Sequence, residues 1–224
     1  MLEEYLDNLF DKTGDVRCTN PIIRRLIIDG ISQTSKIIGM FSQDLLKGLD
    51  FKPKDLTIEA FEAFLAELRS IFWLRNFGFA NIKPLAMSKK KQPDFTAKYG
   101  NKMCAIEVFC LTQKHEQQKD PVLGVYKNFD PNFNDSKFGC DFISKANEKK
   151  KQLDSSQDFI MKILLCVINS RSIINLNTSK EMKQHAKFLL NQLKWEGNYY
   201  IGFLTGVEVN GDMTDVVYPR LPVV

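Results

Sequence analysis

Two carboxylates, Asp94 and Glu107, and the lysines around them are the residues of this chain whose types and spacing could do chemistry. They stand in KKKQPDFTAKYGNKMCAIEVFCL, residues 89–111, where Asp94 follows a proline and Glu107 is flanked on both sides by apolar residues. Gly100-Asn101 between them is a two-residue hairpin signal. Pairing counted outward from that turn puts Asp94 directly opposite Glu107, on one face, with Cβ atoms ~4.5–5.5 Å apart. Two carboxylates at that separation repel. A hard divalent cation removes the repulsion, since Mg²⁺ takes oxygen ligands, commonly one or two carboxylates with waters and phosphate oxygens. A strand apolar on both faces is covered on both, so a lone acid within it needs a partner or a metal. The competing reading makes Asp94 the opening residue of a strand and puts Glu107 on an exposed polar face.

The bulk properties permit this chemistry without demanding it. The chain has 224 residues, 44% hydrophobic and 26% charged, with a net charge of +4. That is long enough for a sizeable core and mild enough to allow a polyanionic partner. The charge is uneven: residues 83–102 hold six lysines and one acid, residues 1–16 five acids and one lysine. The acidic N-terminus is expected to face away from a polyanion. Five cysteines without CxxC spacing argue against a zinc site or a disulfide framework. No signal peptide and no apolar run near eighteen residues are apparent, which predicts a cytoplasmic location with no membrane partner.

The elements that must position these groups follow from periodicity. Residues 1–50 read as helical, with Pro21 opening a helix whose apolar positions are Ile22, Leu26 and Ile27. An amphipathic helix is predicted over 58–76, with Phe61, Phe64, Leu65, Leu68 and Phe72 as its stripe and Gly78 as its stop. Strands are predicted at 80–87, 93–99 and 102–111. The 112–136 segment reads as a long loop of functional character. A helix at 137–153, a strand at 159–168, a helix at 178–195, a strand at 198–205 and a closing hairpin over 207–217 complete a mixed α/β order. The expected division is a helical extension over 1–56 and a core over 57–224.

That order, with Pro93-Asp94 ahead of a hairpin and Ala105-Ile106-Glu107-Val108 on the next strand, resembles the PD-(D/E)XK nuclease superfamily over roughly residues 57–205. The resemblance implies a restriction-endonuclease-like core, a mixed central sheet flanked by helices. It also implies that Asp94 and Glu107 hold Mg²⁺ (or Mn²⁺), that the metal activates water, and that phosphodiester bonds are cut. It implies a further glutamate from the first core helix. Glu67, eleven residues before Gly78-Phe79, is the choice, with Glu62 as fallback and Glu59 also available.

One position departs from the pattern. The superfamily expects a lysine two residues after the glutamate, and here that residue is Phe109. Members relocate this lysine to other elements, so the question is which one reaches. On the 137–153 helix, Phe142, Ala146 and Leu153 define a buried stripe, and Lys149 falls in it. A lysine on a sheet-facing side is unusual without an anionic partner. The competing reading has Lys149 extending to solvent. Lys98 shares Asp94's face but lies ~13 Å along the strand, and Lys90 and Gln92 are lesser candidates.

The expected function is a metal-dependent nuclease, of restriction, defence or repair type, with DNA preferred over RNA as partner and homodimers as one arrangement. Catalysis is assigned to Asp94, Glu107, Lys149 and Glu67, and nucleic-acid contacts to Lys89, Lys90, Lys91 and Lys145. The alternative is a silenced nuclease-like module that binds nucleic acid or serves as a scaffold. His115, His185, Trp73 and Trp195 receive no catalytic role, the two tryptophans being read as core.

Overall fold

A computed structural model describes residues 4, 7–8, 11, 20–49, 51, 58–85, 92–110, 137–155, 158–168, 187, 191, 195, 197–205 and 216–223. The elements are α1 (Pro21–Ile38), α2 (Ser42–Gly48), α3 (Ile58–Asn76), β1 (Phe79–Pro84), β2 (Phe95–Tyr99), β3 (Lys102–Cys110), α4 (Lys137–Asp154), β4 (Met161–Ile168), β5 (Tyr199–Thr205) and β6 (Val216–Tyr218). The six strands form one sheet in chain order. Neighbours β1–β2, β2–β3 and β5–β6 are antiparallel, while β3–β4 and β4–β5 are parallel. The protein is therefore α/β with a mixed sheet. The hairpin turn is as the sequence predicts: Phe95 pairs with Ile106 and Tyr99 with Lys102, and Gly100 takes the positive φ of 58°.

Opposed residues on neighbouring strands share a face, so the register sorts the sheet into two sides. One side carries Phe95, Ala97, Tyr99, Cys104, Ile106, Val108, Ile163, Leu165 and Val167, which join a single apolar cluster with residues of α1, α2 and α3. The other side carries Ala105, Glu107, Phe109, Leu164, Cys166, Ile201 and Phe203, all buried. Helix α4 packs against β3 and β4, with Ala146 and Leu153 fully buried. Every residue of β3 from Cys104 to Cys110 is buried, as expected of a strand covered on both faces.

Two readings of the helical part are corrected. In α1 the buried residues are Ile27, Ile28, Gly30, Ile31, Thr34 and Ser35, whereas Ile22 and Leu26 are 73% and 50% exposed. The inward stripe is set by where α3 lies, and it turns to centre on Ile31. In α3 the predicted stripe of Phe61, Phe64, Leu65, Leu68 and Phe72 is buried and Gly78 follows the helix end at a positive φ, but burial extends beyond the stripe. From Phe64 to Leu74 every residue but Glu67 is buried, Arg69 and Ser70 included. The sheet covers one side of α3, and α1 and α2 join the same cluster from another, so a single stripe underestimates its buried surface.

Gly202 marks how closely the layers approach. It lies opposite Leu165, and a Cβ there would sit 2.6 Å from Leu165 Cδ2 and 3.1 Å from Trp73 Cζ2. Trp73 is fully buried, as read from sequence, and stacks on Phe77 with ring centroids 4.4 Å apart. Strand β6 pairs antiparallel with β5, Phe203 opposite Val216, while most of the hairpin expected over 207–217 lies outside the described residues. The turn at Asn210-Gly211, the 112–136 loop, the residues joining α2 to α3 and most of the 178–195 helix lie outside the described residues.

Candidate functional site

The site is built on β3. Because the strand is apolar throughout, Glu107 is carried into the interior with its neighbours and is fully buried. Its side chain points to the α4 side by the alternation of the strand. Asp94 stands one residue before β2, next to the Phe95–Ile106 pair, so the hairpin register brings it opposite Glu107. Its backbone is held by Leu85, whose N–H donates to the Asp94 carbonyl at 2.9 Å. Its side chain is held by the Val108 N–H, which donates to Oδ2 at 2.7 Å.

Lys149 completes the cluster from the far side of the chain. Its Nζ donates to Glu107 Oε2 at 2.7 Å and to Asp94 Oδ2 at 3.3 Å. The lysine predicted from the α4 stripe thus lies between the two carboxylates, and its extension to solvent is not seen: its side chain is 24% exposed. Phe109, two residues after Glu107 and on the same face, is buried beside Cys166. A phenyl ring offers no donor there, and the cation comes from the helix above.

The electrostatics follow from burial. Desolvation, then repulsion from Asp94, pushes the Glu107 carboxyl up to about 8 against the pull of Lys149. Burial works against the charge on Lys149, but Asp94 and Glu107 outweigh it and hold the ammonium above its ordinary value. Burial and Asp94 thus favour the protonated form of Glu107, while the two carboxylates favour the charged form of Lys149. Glu107 Oε1 is buried with no hydrogen-bond partner. Both side-chain hydrogen bonds of Asp94 among the described residues fall on Oδ2. A buried carboxylate oxygen without a donor is uncommon. Together with Asp94 it is a donor set of the kind Mg²⁺ or Mn²⁺ accepts, so these residues fit a hard divalent cation.

The remaining predicted residues are distributed as follows. Among the described residues no group of three or more His, Cys, Asp or Glu comes together as metal ligands, so Glu67, half-buried on α3, does not join the pair. Glu62 is likewise half-buried on α3, and the side chain of Glu59 is not among those described. Lys145 is exposed on α4, one turn before Lys149. Lys98 is exposed on β2, on the Asp94 side of the sheet. Lys89, Lys90, Lys91, His115 and His185 lie outside the described residues. At the N-terminus, Asp7 and Asp11 pair with Arg24 of α1, each at 2.7 Å.

One neighbouring network is absent from the sequence reading. Asp154, the last residue of α4, accepts from Lys150 at 2.5 Å, from Lys162 at 3.4 Å and from the Tyr199 hydroxyl. The Lys150 and Lys162 ammonium groups lie 5.1 and 5.3 Å from the centroid of the Tyr199 ring. Asp154 is held below its ordinary value because its bonds to Lys150 and Tyr199 outweigh its desolvation. The network fastens the end of α4 to β4 and β5, which fixes the rotation that turns Lys149 toward Glu107. The Lys150–Asp154 spacing of four was readable as a helix pair. The Lys162–Tyr199 pairing needed the parallel register, which no local signal gives.

Among the described residues no helix is long and apolar enough to cross a membrane. No protein-family model, curated protein or solved structure matches this chain.

Proposed function

We propose that the protein is a metal-dependent nuclease that hydrolyses phosphodiester bonds, with DNA as its principal substrate, on a restriction-endonuclease-like core. The observation that carries this reading is the meeting of Lys149 with Asp94 and Glu107 in a buried cluster, at the place where Phe109 leaves the motif without its lysine. A mixed sheet with helices packed on both faces supports the same reading.

In this mechanism Asp94 and Glu107 would hold Mg²⁺ or Mn²⁺. When bound, the metal supplies Lewis-acid polarisation of the phosphate and a water of lowered pKa. The Val108 N–H fixes the Asp94 carboxylate, so its orientation is set before substrate arrives. Glu107 must give up its proton to act as a ligand, and Lys149 stays positive through that change. Lys149 then offers a fixed positive charge where negative charge grows on the phosphoryl oxygens. Phe109, with Cys166 and Leu164, keeps water from the floor of the cluster. Lys89, Lys90 and Lys91 as phosphate contacts, and a homodimer, are carried by the resemblance alone.

The test is cleavage of plasmid and single-stranded DNA with Mg²⁺ or Mn²⁺. Asp94→Ala and Glu107→Ala should abolish it with the fold retained by circular dichroism. Lys149→Ala should slow it by about 10²–10³-fold, the scale of losing one preorganised charge-stabilising donor. Wild-type protein that cuts nothing with any divalent metal would end the catalytic reading. The second reading, a silenced nuclease-like module, is favoured by one observation: Lys149 already bridges the two carboxylates, through Glu107 Oε2 and Asp94 Oδ2, without metal. Such a module would bind no Mn²⁺ in calorimetry.

A further inference from the structure

We infer that the part of the sheet beyond α4, carried by Lys83 and Lys98, is a track that holds the backbone of a nucleic-acid strand as it leaves the Asp94–Glu107 site. The inference rests on the nuclease reading for the identity of the polyanion, and it deepens that reading by naming the surface that holds it.

Helix α4 packs over β3 and β4. On the same side of the sheet, farther from α4, β1 and β2 present Lys83, Thr96 and Lys98, with Met103 of β3 opposite Lys98. Lys83 lies opposite Thr96, so its side chain shares the Asp94 face. Lys83 and Lys98 are exposed, Met103 is 37% exposed and Thr96 is half-buried, so this surface is open.

The charge on this surface is one-sided. The segments of β1, β2 and β3 contain a single acid, Glu107, and that one is engaged by Lys149. Neither Lys83 nor Lys98 has an ion-pair partner among the described residues. One strand over and two residues along from Asp94, Lys83 stands ~8 Å from it between Cα atoms. Lys98 stands ~13 Å along β2. Beyond the site, exposed Lys145 precedes Lys149 by one turn, a rise of ~6 Å. Among the described residues, exposed lysines therefore lie on both sides of the carboxylates, Lys83 and Lys98 on one and Lys145 on the other. A polymer with a regularly repeated negative charge matches that arrangement, and contacts of this kind position a backbone without reading its bases.

Binding can be measured apart from cleavage. Short fluorescein-labelled single-stranded and duplex DNA are titrated with the protein in EDTA and followed by anisotropy across a salt series. The Lys83→Gln/Lys98→Gln variant should bind about tenfold more weakly or worse. Its salt slope should fall by about 1.4 on single strands, or about 1.8 on duplex, for two lost phosphate contacts. A Lys36→Gln/Lys47→Gln control makes the same charge change on α1 and α2, across the sheet, and should bind as wild type. The track is overturned if wild type binds neither DNA, or if the Lys83/Lys98 variant matches wild type. It is equally overturned if the control weakens binding as much, or if poly-glutamate competes as well as DNA. Binding that depends on Lys83 and Lys98 without cleavage by any metal leaves the track standing and removes the nuclease. Cleavage with unchanged binding in the variant does the reverse.

Discussion

The two faces of the sheet are made by the same strands and are built for different ends. The α3 side is dominated by apolar residues, from Phe61 and Trp73 on the helix to Phe95, Ile106 and Leu165 beneath it, with Arg69 and Ser70 the polar residues that α3 buries. The α4 face has apolar residues too, but at its centre it buries a glutamate against a half-buried aspartate and lysine, and at the end of α4 it ties two lysines to Asp154 and Tyr199. Buried ion pairs are weak sources of stability, because desolvation offsets much of their attraction. The comparison teaches that one face holds the fold and the other tolerates a cost that chemistry can explain.

The largest effect that would sharpen this contrast belongs to the apolar face. Phe95 is fully buried, and Phe95→Ala should destabilise the protein by about 3–5 kcal/mol in denaturant unfolding, from lost burial and the cavity left behind. A loss near zero would mean that this face is not the load-carrying core. On the α4 face the expectation is the reverse. Replacing all three groups together, as Asp94→Asn, Glu107→Gln and Lys149→Met, should leave stability unchanged or raise it by about 1–4 kcal/mol while removing metal-dependent cleavage. A triple variant less stable than any single one would break the comparison and make the cluster a structural device.

The smallest effect is a pH slope. The folded-state value of Glu107, about 8, lies above its ordinary value, so the folded protein holds a proton that the unfolded chain releases. Its contribution is fully present below the unfolded value of 4.5 and is lost as pH rises through about 8. Stability attributable to this group should fall with pH across that window, and Glu107→Gln should flatten the slope in melts taken at several pH values. Over the same window Mn²⁺ should bind more tightly as pH rises, since the ligand must be deprotonated. Metal affinity independent of pH would remove Glu107 from the metal site.

Much of this was legible in local sequence. Gly100-Asn101 carried the hairpin, and the hairpin carried the opposition of Asp94 and Glu107, because register in a two-residue turn is fixed by counting. The unbroken apolar run around Glu107 carried its burial. The spacing of Ala146, Lys149 and Leu153 carried a lysine facing the sheet, because helical periodicity fixes which side chains share a face.

What the sequence could not supply are the relations between segments distant in the chain. Helical periodicity says that Lys149 faces inward but not which strand residue it meets, and the contact with Glu107 spans 42 positions. The inward stripe of α1 and the near-complete burial of α3 between Phe64 and Leu74 depend on how helices stack across one another, which side-chain spacing alone does not encode. The Asp154–Lys162–Tyr199 network depends on a parallel register set across a crossover, where no turn fixes the count. The sequence by itself determined the pair of carboxylates and the face they share, because both follow from short-range geometry. Only the tertiary structure decided that the missing lysine returns from α4, because that depends on how a helix is docked and rotated on the sheet.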